Sequence, residues 1–159
     1  MRRVDREVTD FLKMTDIMKN CECCRLGLVD KNEAYIVPMY FGIEIIGEHV
    51  ILYFHCANQG RKIELISGQT ITSFEMDTKH QLIKGKTGCD FSYLYQCIMG
   101  KGELQIVSDR DEKNYGLQRI MDHYTSEKQW EFNEKLLKRT TVLKLFVKTW
   151  SCKEHGKGI

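Results

Sequence analysis

Gly60, Arg61 and Lys62 set two cations directly behind a glycine. They follow an apolar run, Val50, Ile51, Leu52, Tyr53 and Phe54, and a break at Asn58-Gln59-Gly60; beyond them Ile63 and Ile66 recur at helical spacing. The order is strand, turn, helix. Arg61 and Lys62 then fall in the first turn of the helix, where the macrodipole disfavours each cation by roughly 0.3–1 kcal/mol. Cations in that place suit an anion, because a guanidinium fork and an ammonium beside free N–H groups match a phosphate. The bland alternative is a solvated basic turn. His55 ends the same strand, and an imidazole with an unperturbed pKa of about 6.5 is a candidate proton donor near neutrality. Otherwise it is a strand-end histidine bonded to a backbone carbonyl.

The chain that must position these groups has 159 residues, enough for one domain (1–159) with its own core and short for two. Hydrophobic residues make up 42% and charged residues 29%, as in soluble globular proteins. A net charge of +2 is too small to point to nucleic acid, and Arg2-Arg3 is only a short basic start. The charged start leads into no apolar leader segment, and no run of about 18 apolar residues follows, so the expected location is cytoplasmic, without a membrane. The seven cysteines, Cys21, Cys23, Cys24, Cys56, Cys89, Cys97 and Cys152, are odd in number and read as reduced thiols. Cys21-Glu22-Cys23-Cys24 lacks a second ligand pair, so no metal is expected.

Asp10 to Asn20 reads as a helix with Phe11, Met14, Ile17 and Met18 on one face and Thr9 or Asp10 as cap. Arg25 to Val29 and a long strand from Ala34 to Ile46 form a hairpin across Asp30 to Glu33. Pro38 interrupts the long strand, which implies an edge, a bulge or a close ligand. Val50 to His55 is the next strand and Lys62 to Ser67 the short helix. Thr70 to Asp77 and Gln81 to Lys84 read as a hairpin, with a polar loop at Gly85 to Asp90. Tyr93 to Met99 and Glu103 to Ser108 are strands joined across Gly100-Lys101-Gly102, a bend or bulge rather than a full turn. Asp109 and Glu112 are spaced as a capping box for a helix carrying Leu117, Ile120, Met121 and Tyr124 on one face. A short helix at Phe132 to Leu137 precedes the last strand, Thr141 to Trp150. Strands in hairpin order favour a mainly β (α+β) antiparallel barrel. No dinucleotide, triphosphate or serine-hydrolase motif is present.

Several phrases together resemble one family: Met1-Arg-Arg-Val-Asp-Arg-Glu, Cys24-Arg-Leu-Gly-Leu-Val-Asp30, Tyr35-Ile-Val-Pro-Met-Tyr-Phe-Gly42, Tyr53-Phe-His-Cys-Ala-Asn-Gln-Gly-Arg-Lys62, Tyr95-Gln-Cys-Ile-Met-Gly-Lys-Gly102 and Asp111-Glu-Lys113. They look like the FMN-binding split-barrel proteins related to pyridoxamine 5'-phosphate oxidase, above all the Nim-type 5-nitroimidazole-resistance branch. The resemblance implies a six-stranded Greek-key split β-barrel and a homodimer with FMN at the subunit interface. It assigns the phosphate to Gly60, Arg61 and Lys62. It runs Val37, Pro38 and Met39 beside the isoalloxazine ring and puts His55 and Ala57 near the flavin or substrate. Gln96 and Cys97 would approach the ring, although the family more often has serine at the position of Cys97, and Trp150 would stack near the partner subunit's flavin. The activity implied is passage of electrons from NAD(P)H through FMN to a small aromatic acceptor such as a nitro compound. The carboxy-terminal substrate pattern of true pyridoxamine 5'-phosphate oxidase is absent from Ser151 to Ile159. A non-catalytic flavin or haem binder, and a cofactor-free barrel that binds a protein, are the other classes.

Overall fold

The computed structural model describes residues 3–67, 71–127 and 130–156. Eight strands form one sheet: β1 (Glu7–Val8), β2 (Cys24–Asp30), β3 (Glu33–Met39), β4 (Phe41–Ile46), β5 (His49–Ala57), β6 (Ile71–Ile83), β7 (Ser92–Val107) and β8 (Thr140–His155). Every pairing among them is antiparallel. The hydrogen-bonded order is β3-β2-β6-β7-β8-β5-β4, with β1 against β8. The two edges of that order, β3 and β4, are consecutive in the chain and separated only by Tyr40. Covalent backbone, rather than a ladder, joins them, and the architecture is the expected split barrel.

Several element boundaries differ from expectation. The run from Ala34 to Ile46 is two strands, because β3 pairs with β2 and β4 pairs with β5. Pro38 is in β3, an edge strand, opposite Arg25, where a missing N–H costs no ladder bond on the open side. The expected hairpin at Thr70 to Lys84 is one strand from Ile71; Thr70 lies outside the described residues. Its pairing with β7 slips between Thr78 and Gln81, and Lys79 has φ +58°, so the polar tract is a bulge and not a turn. Tyr93 to Val107 is a single strand, β7, and its register shift against β8 between Lys101 and Gly102 is the bulge expected at Gly100-Lys101-Gly102. β8 runs on to His155, and its extension receives β1, a pairing too short to show in the sequence pattern.

Four helices pack on this sheet: α1 (Phe11–Lys19), α2 (Arg61–Ile66), α3 (Arg110–Tyr124) and α4 (Glu134–Leu137). Asp10 caps α1 by accepting the Lys13 N–H at 2.7 Å, and Asp109 caps α3 by accepting that of Glu112 at 2.8 Å. The Glu112 carboxylate does not return to the cap; it accepts from Lys144 on β8. The barrel interior is filled by Leu26, Leu52, Phe54, Met76, Ile98 and Leu145, and Met14, Ile17 and Met18 of α1 join the same core. A second cluster, Ile51, Tyr53, Leu117, Ile120 and Val142, lies under α3.

Two glycines let α3 approach. A Cβ on Gly42 would stand 2.4 Å from the backbone of Arg119 and Ile120, and one on Gly116 would stand 2.7 Å from the Tyr53 ring. Gly42→Ala is therefore expected to cost about 1–3 kcal/mol, a fall in thermal midpoint of roughly 2–12 °C. An unchanged midpoint in a melting experiment would show that α3 shifts without cost.

Candidate functional site

The turn between β5 and α2 is built on Gly60, whose φ of +114° and ψ of 172° strain any residue with a side chain. Nothing stands within 4 Å of where its Cβ would be, so the turn opens to solvent. No side chain caps α2, and the Gly60 carbonyl accepts from Ile63 and Glu64 at 3.0 and 3.3 Å. Arg61 is held sideways: its Nε donates to Asp30 Oδ2 at 2.9 Å, its Nη2 to the same oxygen, and its Nη1 to Glu64 Oε2 at 3.4 Å. Asp30 ends β2, so this ion pair ties the β2–β3 hairpin to the turn. Lys62 reaches the other way, with Nζ 2.9 Å from the Met39 sulfur. Among the described residues no carboxylate pairs with it.

The charge of Lys62 is felt by two neighbours. Packing around His55 lowers its pKa, and Lys62 lowers it further, although the residue keeps an exposed edge. Burial pushes the Cys56 thiol up while Lys62 pulls it back. Met39, His55, Cys56, Gly60, Arg61 and Lys62 thus share one corner. Ala57 is exposed beside them, opposite Thr140. Met39 is buried opposite Cys24, Val37 packs on the barrel core, and Pro38 points to the exposed face between them.

Gln96, Cys97 and Trp150 stand elsewhere. Gln96 pairs with Glu154 near the far end of β8, whereas Ala57 pairs with Thr140 at its start. Gln96 is buried, and its Nε2 donates to Glu154 Oε1 at 2.8 Å; the same buried carboxylate accepts from Lys13. Cys97 faces the other side of β7, its sulfur 3.7 Å from Glu75 Oε1, and its pKa is pushed up to about 12, first by burial and then by that carboxylate. Glu75 and Asp77 hold Arg25 at 3.0 and 2.5 Å. Trp150 meets Phe11 edge to face, with centroids 6.0 Å apart. Sequence reasoning treated Asp30 only as a turn residue and did not single out Glu154 or Lys13. Their partners are 31 or more positions away, and no local spacing signals such pairs.

His123 is the other histidine with a lowered pKa: burial dominates, and donation from its Nε2 to the Cys21 carbonyl at 2.8 Å opposes it. A histidine that resists protonation in the fold leaves the unfolded chain binding more protons below about pH 6.5. His55 and His123 therefore subtract stability as pH falls through that value, and the loss stops growing below their folded pKa. Melting between about pH 7.5 and 5.5 is expected to show a falling midpoint whose slope is reduced in a His55→Gln, His123→Gln variant. An identical slope in that variant would refute the assignment.

Among the described residues no group of three His, Cys, Asp or Glu side chains could hold a metal ion, and no helix is long and apolar enough to cross a membrane.

The chain matches the profile of the family described as pyridoxamine 5'-phosphate oxidase over residues 13–154. No curated protein gives a significant match. Among solved structures, it is similar to a candidate 5-nitroimidazole antibiotic resistance protein from Bacteroides thetaiotaomicron, with 26% identity and a TM-score of 0.81 over 93% of this chain and 86% of that one. The flavocytochrome Anf3 from Azotobacter vinelandii shares 18% identity at a TM-score of 0.81, covering 98% of this chain and 72% of its own. A protein from Mycobacterium smegmatis described as FAD and heme binding shares 16% at 0.80, covering 95% and 74%. The last two likenesses bear on the fold alone. With the profile spanning nearly every strand of the barrel, the chain belongs to the pyridoxamine 5'-phosphate oxidase family.

Proposed function

We propose that this protein is a homodimeric FMN-dependent oxidoreductase, drawing electrons from NAD(P)H and delivering them to a small aromatic acceptor. The observation that carries the reading is Lys62: an ammonium without a carboxylate partner among the described residues, resting on a thioether beside exposed His55 and the open Gly60 turn. That donor set fits a phosphate monoester. Arg61 would add its remaining guanidinium hydrogens, and Asp30 would keep the fork aimed. Bound FMN would supply hydride acceptance and electron delivery, which no side chain here can provide. The chain's own share is to anchor the phosphate through Lys62 and Arg61 and to offer a proton from His55 Nδ1 or Nε2 at the corner's exposed edge.

Gln96 and Cys97 lie near the opposite end of β8 from the turn. A flavin that touches both groups would use the turn of one copy and β7 of the other. The outer face of β2, β3, β6 and β7 exposes Val29, Ile36, Ile71 and Met99 around a groove of about 480 Å³. A second copy seated there should bury more than about 1,000 Å², and Ile36→Glu should convert the dimer to a monomer in light scattering and release flavin. A wild-type monomer at micromolar concentration that still holds flavin would refute the assembly.

The deciding experiment is flavin reconstitution followed by anaerobic mixing with NADH or NADPH and then with nitroaromatics and pyridoxamine phosphate. Reduction followed by acceptor-dependent reoxidation supports the reading. A second reading, a flavin or haem binder without turnover, draws on the fold shared with the flavocytochrome and the FAD and heme binding protein. A Soret band, or a flavin that no nicotinamide reduces, would favour it.

A further inference from the structure

We infer that the far half of the β6–β7 hairpin, residues 79–93, is an arm that clasps a second copy of this chain and lies over that copy's Gly60 corner. The hairpin outruns the barrel. β2 pairs with β6 only at Ser73, Phe74 and Glu75, and β8 pairs with β7 only from Tyr95 onward, so among the described residues the ribbon beyond is two strands with no third. A two-stranded ribbon alone is marginal in water, yet this one is held in shape. His80 Nε2 lies 2.7 Å from Asp77 Oδ2, the His80 ring stacks on Tyr93 with centroids 5.9 Å apart, and His155 Nδ1 donates to the Tyr93 carbonyl at 2.8 Å. At the tip, Asp90 Oδ2 accepts from the Thr87 N–H at 3.0 Å and from its hydroxyl at 2.8 Å. Leu82, Phe91 and Tyr93 are nevertheless 52%, 48% and 51% exposed, and Ile83 37%. A stiff ribbon with large apolar side chains in water is suited to binding, because it is ordered before the partner arrives.

The occupant follows from the face these side chains share. β7 is regular from Ser92 to Lys101, so Tyr93, Tyr95, Cys97 and Met99 alternate onto one side, and Leu82, directly opposite Tyr93, joins them. Met99 lines the groove on which the second copy of the proposed dimer sits, so the arm prolongs that face past the end of the barrel. The tip argues against lipid: Lys84 and Lys86 lead and the apolar residues follow, whereas an inserting hairpin would have to bury those ammonium groups first. Topology supplies the target. The Gly60 corner is at the start of β8, where Thr140 pairs with Ala57, and the arm leaves beyond the other end, past His155. Those ends are roughly 50 Å apart along the strand, so an arm cannot reach its own corner. A two-fold axis that runs the strands of the two copies in opposite directions sets each arm against the other's corner, and the contact closes on itself. Charge agrees. Lys79, Lys84 and Lys86 have no carboxylate partner among the described residues, and Asp90, the only acid of residues 79–93, is spent on Thr87. At the corner Glu33, opposite Asp30, is exposed with no cation partner among the described residues, and Glu64 has only Arg61 at 3.4 Å. The inference rests on the homodimer of the proposed function and adds the segment of the second copy that finishes the site.

The test is crosslinking of the full chain by a short bis-maleimide, beside light scattering over a dilution series. Cys89 is the exposed native thiol of the arm, and Gln59→Cys puts another on the exposed turn before Gly60. Gln59→Cys should give a two-chain product in which peptide masses join position 59 to Cys89, and Gln59→Cys with Cys89→Ser should lose it. Leu82→Ser with Tyr93→Ser should raise the Kd of the dimer at least about tenfold, the mark of lost interface anchors. Neither side chain enters the core, so the far-ultraviolet circular dichroism of that variant should match the parent's. A link from position 59 to Cys89 within one chain, or a dimer affinity unchanged in the arm variant, overturns the inference and leaves the dimer standing. A monomeric wild type overturns the dimer and the arm together. Phosphatidylserine vesicles that bind the wild type and not the arm variant, with the same dimer affinity in both, overturn the inference and give the arm to lipid.

Discussion

Replacing Arg61 and Lys62 together by alanine is expected to weaken FMN binding by about two to four orders of magnitude, because each charge-assisted bond to phosphate contributes roughly 1.5–3 kcal/mol. Riboflavin, which has no phosphate, should bind the variant as it binds the parent. The geometry moves the expectation toward the lower end. Arg61 already spends Nε and Nη2 on Asp30, so phosphate would share a partly neutralised guanidinium, whereas Lys62 exchanges only a thioether contact. Lys62→Ala alone should therefore cost more FMN affinity than Arg61→Ala alone. Flavin fluorescence titration reads both. If riboflavin weakens as much as FMN, the basic turn is structural and the phosphate lies elsewhere.

His55→Gln separates chemistry from scaffolding. Glutamine keeps a hydrogen-bonding amide at the strand end and cannot act as an acid near neutrality. FMN binding and reduction by the nicotinamide should survive, while the oxidative half-reaction falls by roughly 10²- to 10⁴-fold, the usual share of a positioned proton donor. The pH dependence has a defined sign. Packing and Lys62 both hold the imidazole's pKa below its ordinary value, so the protonated form gains population only as pH drops below about 6.5. The wild-type oxidative step should accelerate on acidification, with its inflection under that value, and the variant should lose the inflection. Stopped-flow reoxidation at wild-type speed in the variant would leave His55 a scaffold residue.

The barrel, α1, α3 and the strand-turn-helix at Gly60 were legible because each has a strong local signal: helical spacing, a cap three residues upstream, a glycine forced to positive φ. The errors arose where a tertiary partner decides. Ala34 to Ile46 is an almost unbroken apolar run, and only the switch of partner from β2 to β5 at Tyr40 divides it. Lys79-His80-Gln81 has the polarity of a turn, yet pairing with β7 resumes after it and makes it a bulge. At the site, the cations were readable, while the carboxylate that holds Arg61 comes from another hairpin. Gln96 was singled out for a cofactor, and nothing near it in the sequence signals that its Nε2 also donates to Glu154, which in turn binds α1 through Lys13. Long-range polar pairing leaves no period in a sequence.

The place of β8 in the sheet has a consequence for the order of synthesis. Thr140–His155 is the last of the described strands in chain order and is hydrogen-bonded to β7 along one side and to β5 and β1 along the other. Until it leaves the ribosome, β5 and β7 each lack a neighbour, and β5 carries Val50, Ile51, Leu52, Tyr53 and Phe54, all buried in the finished fold. Such unpaired apolar edges are templates for association between nascent chains. The barrel cannot close piecemeal as it emerges, and its cooperative folding must wait for a strand whose contacts span almost the whole described chain.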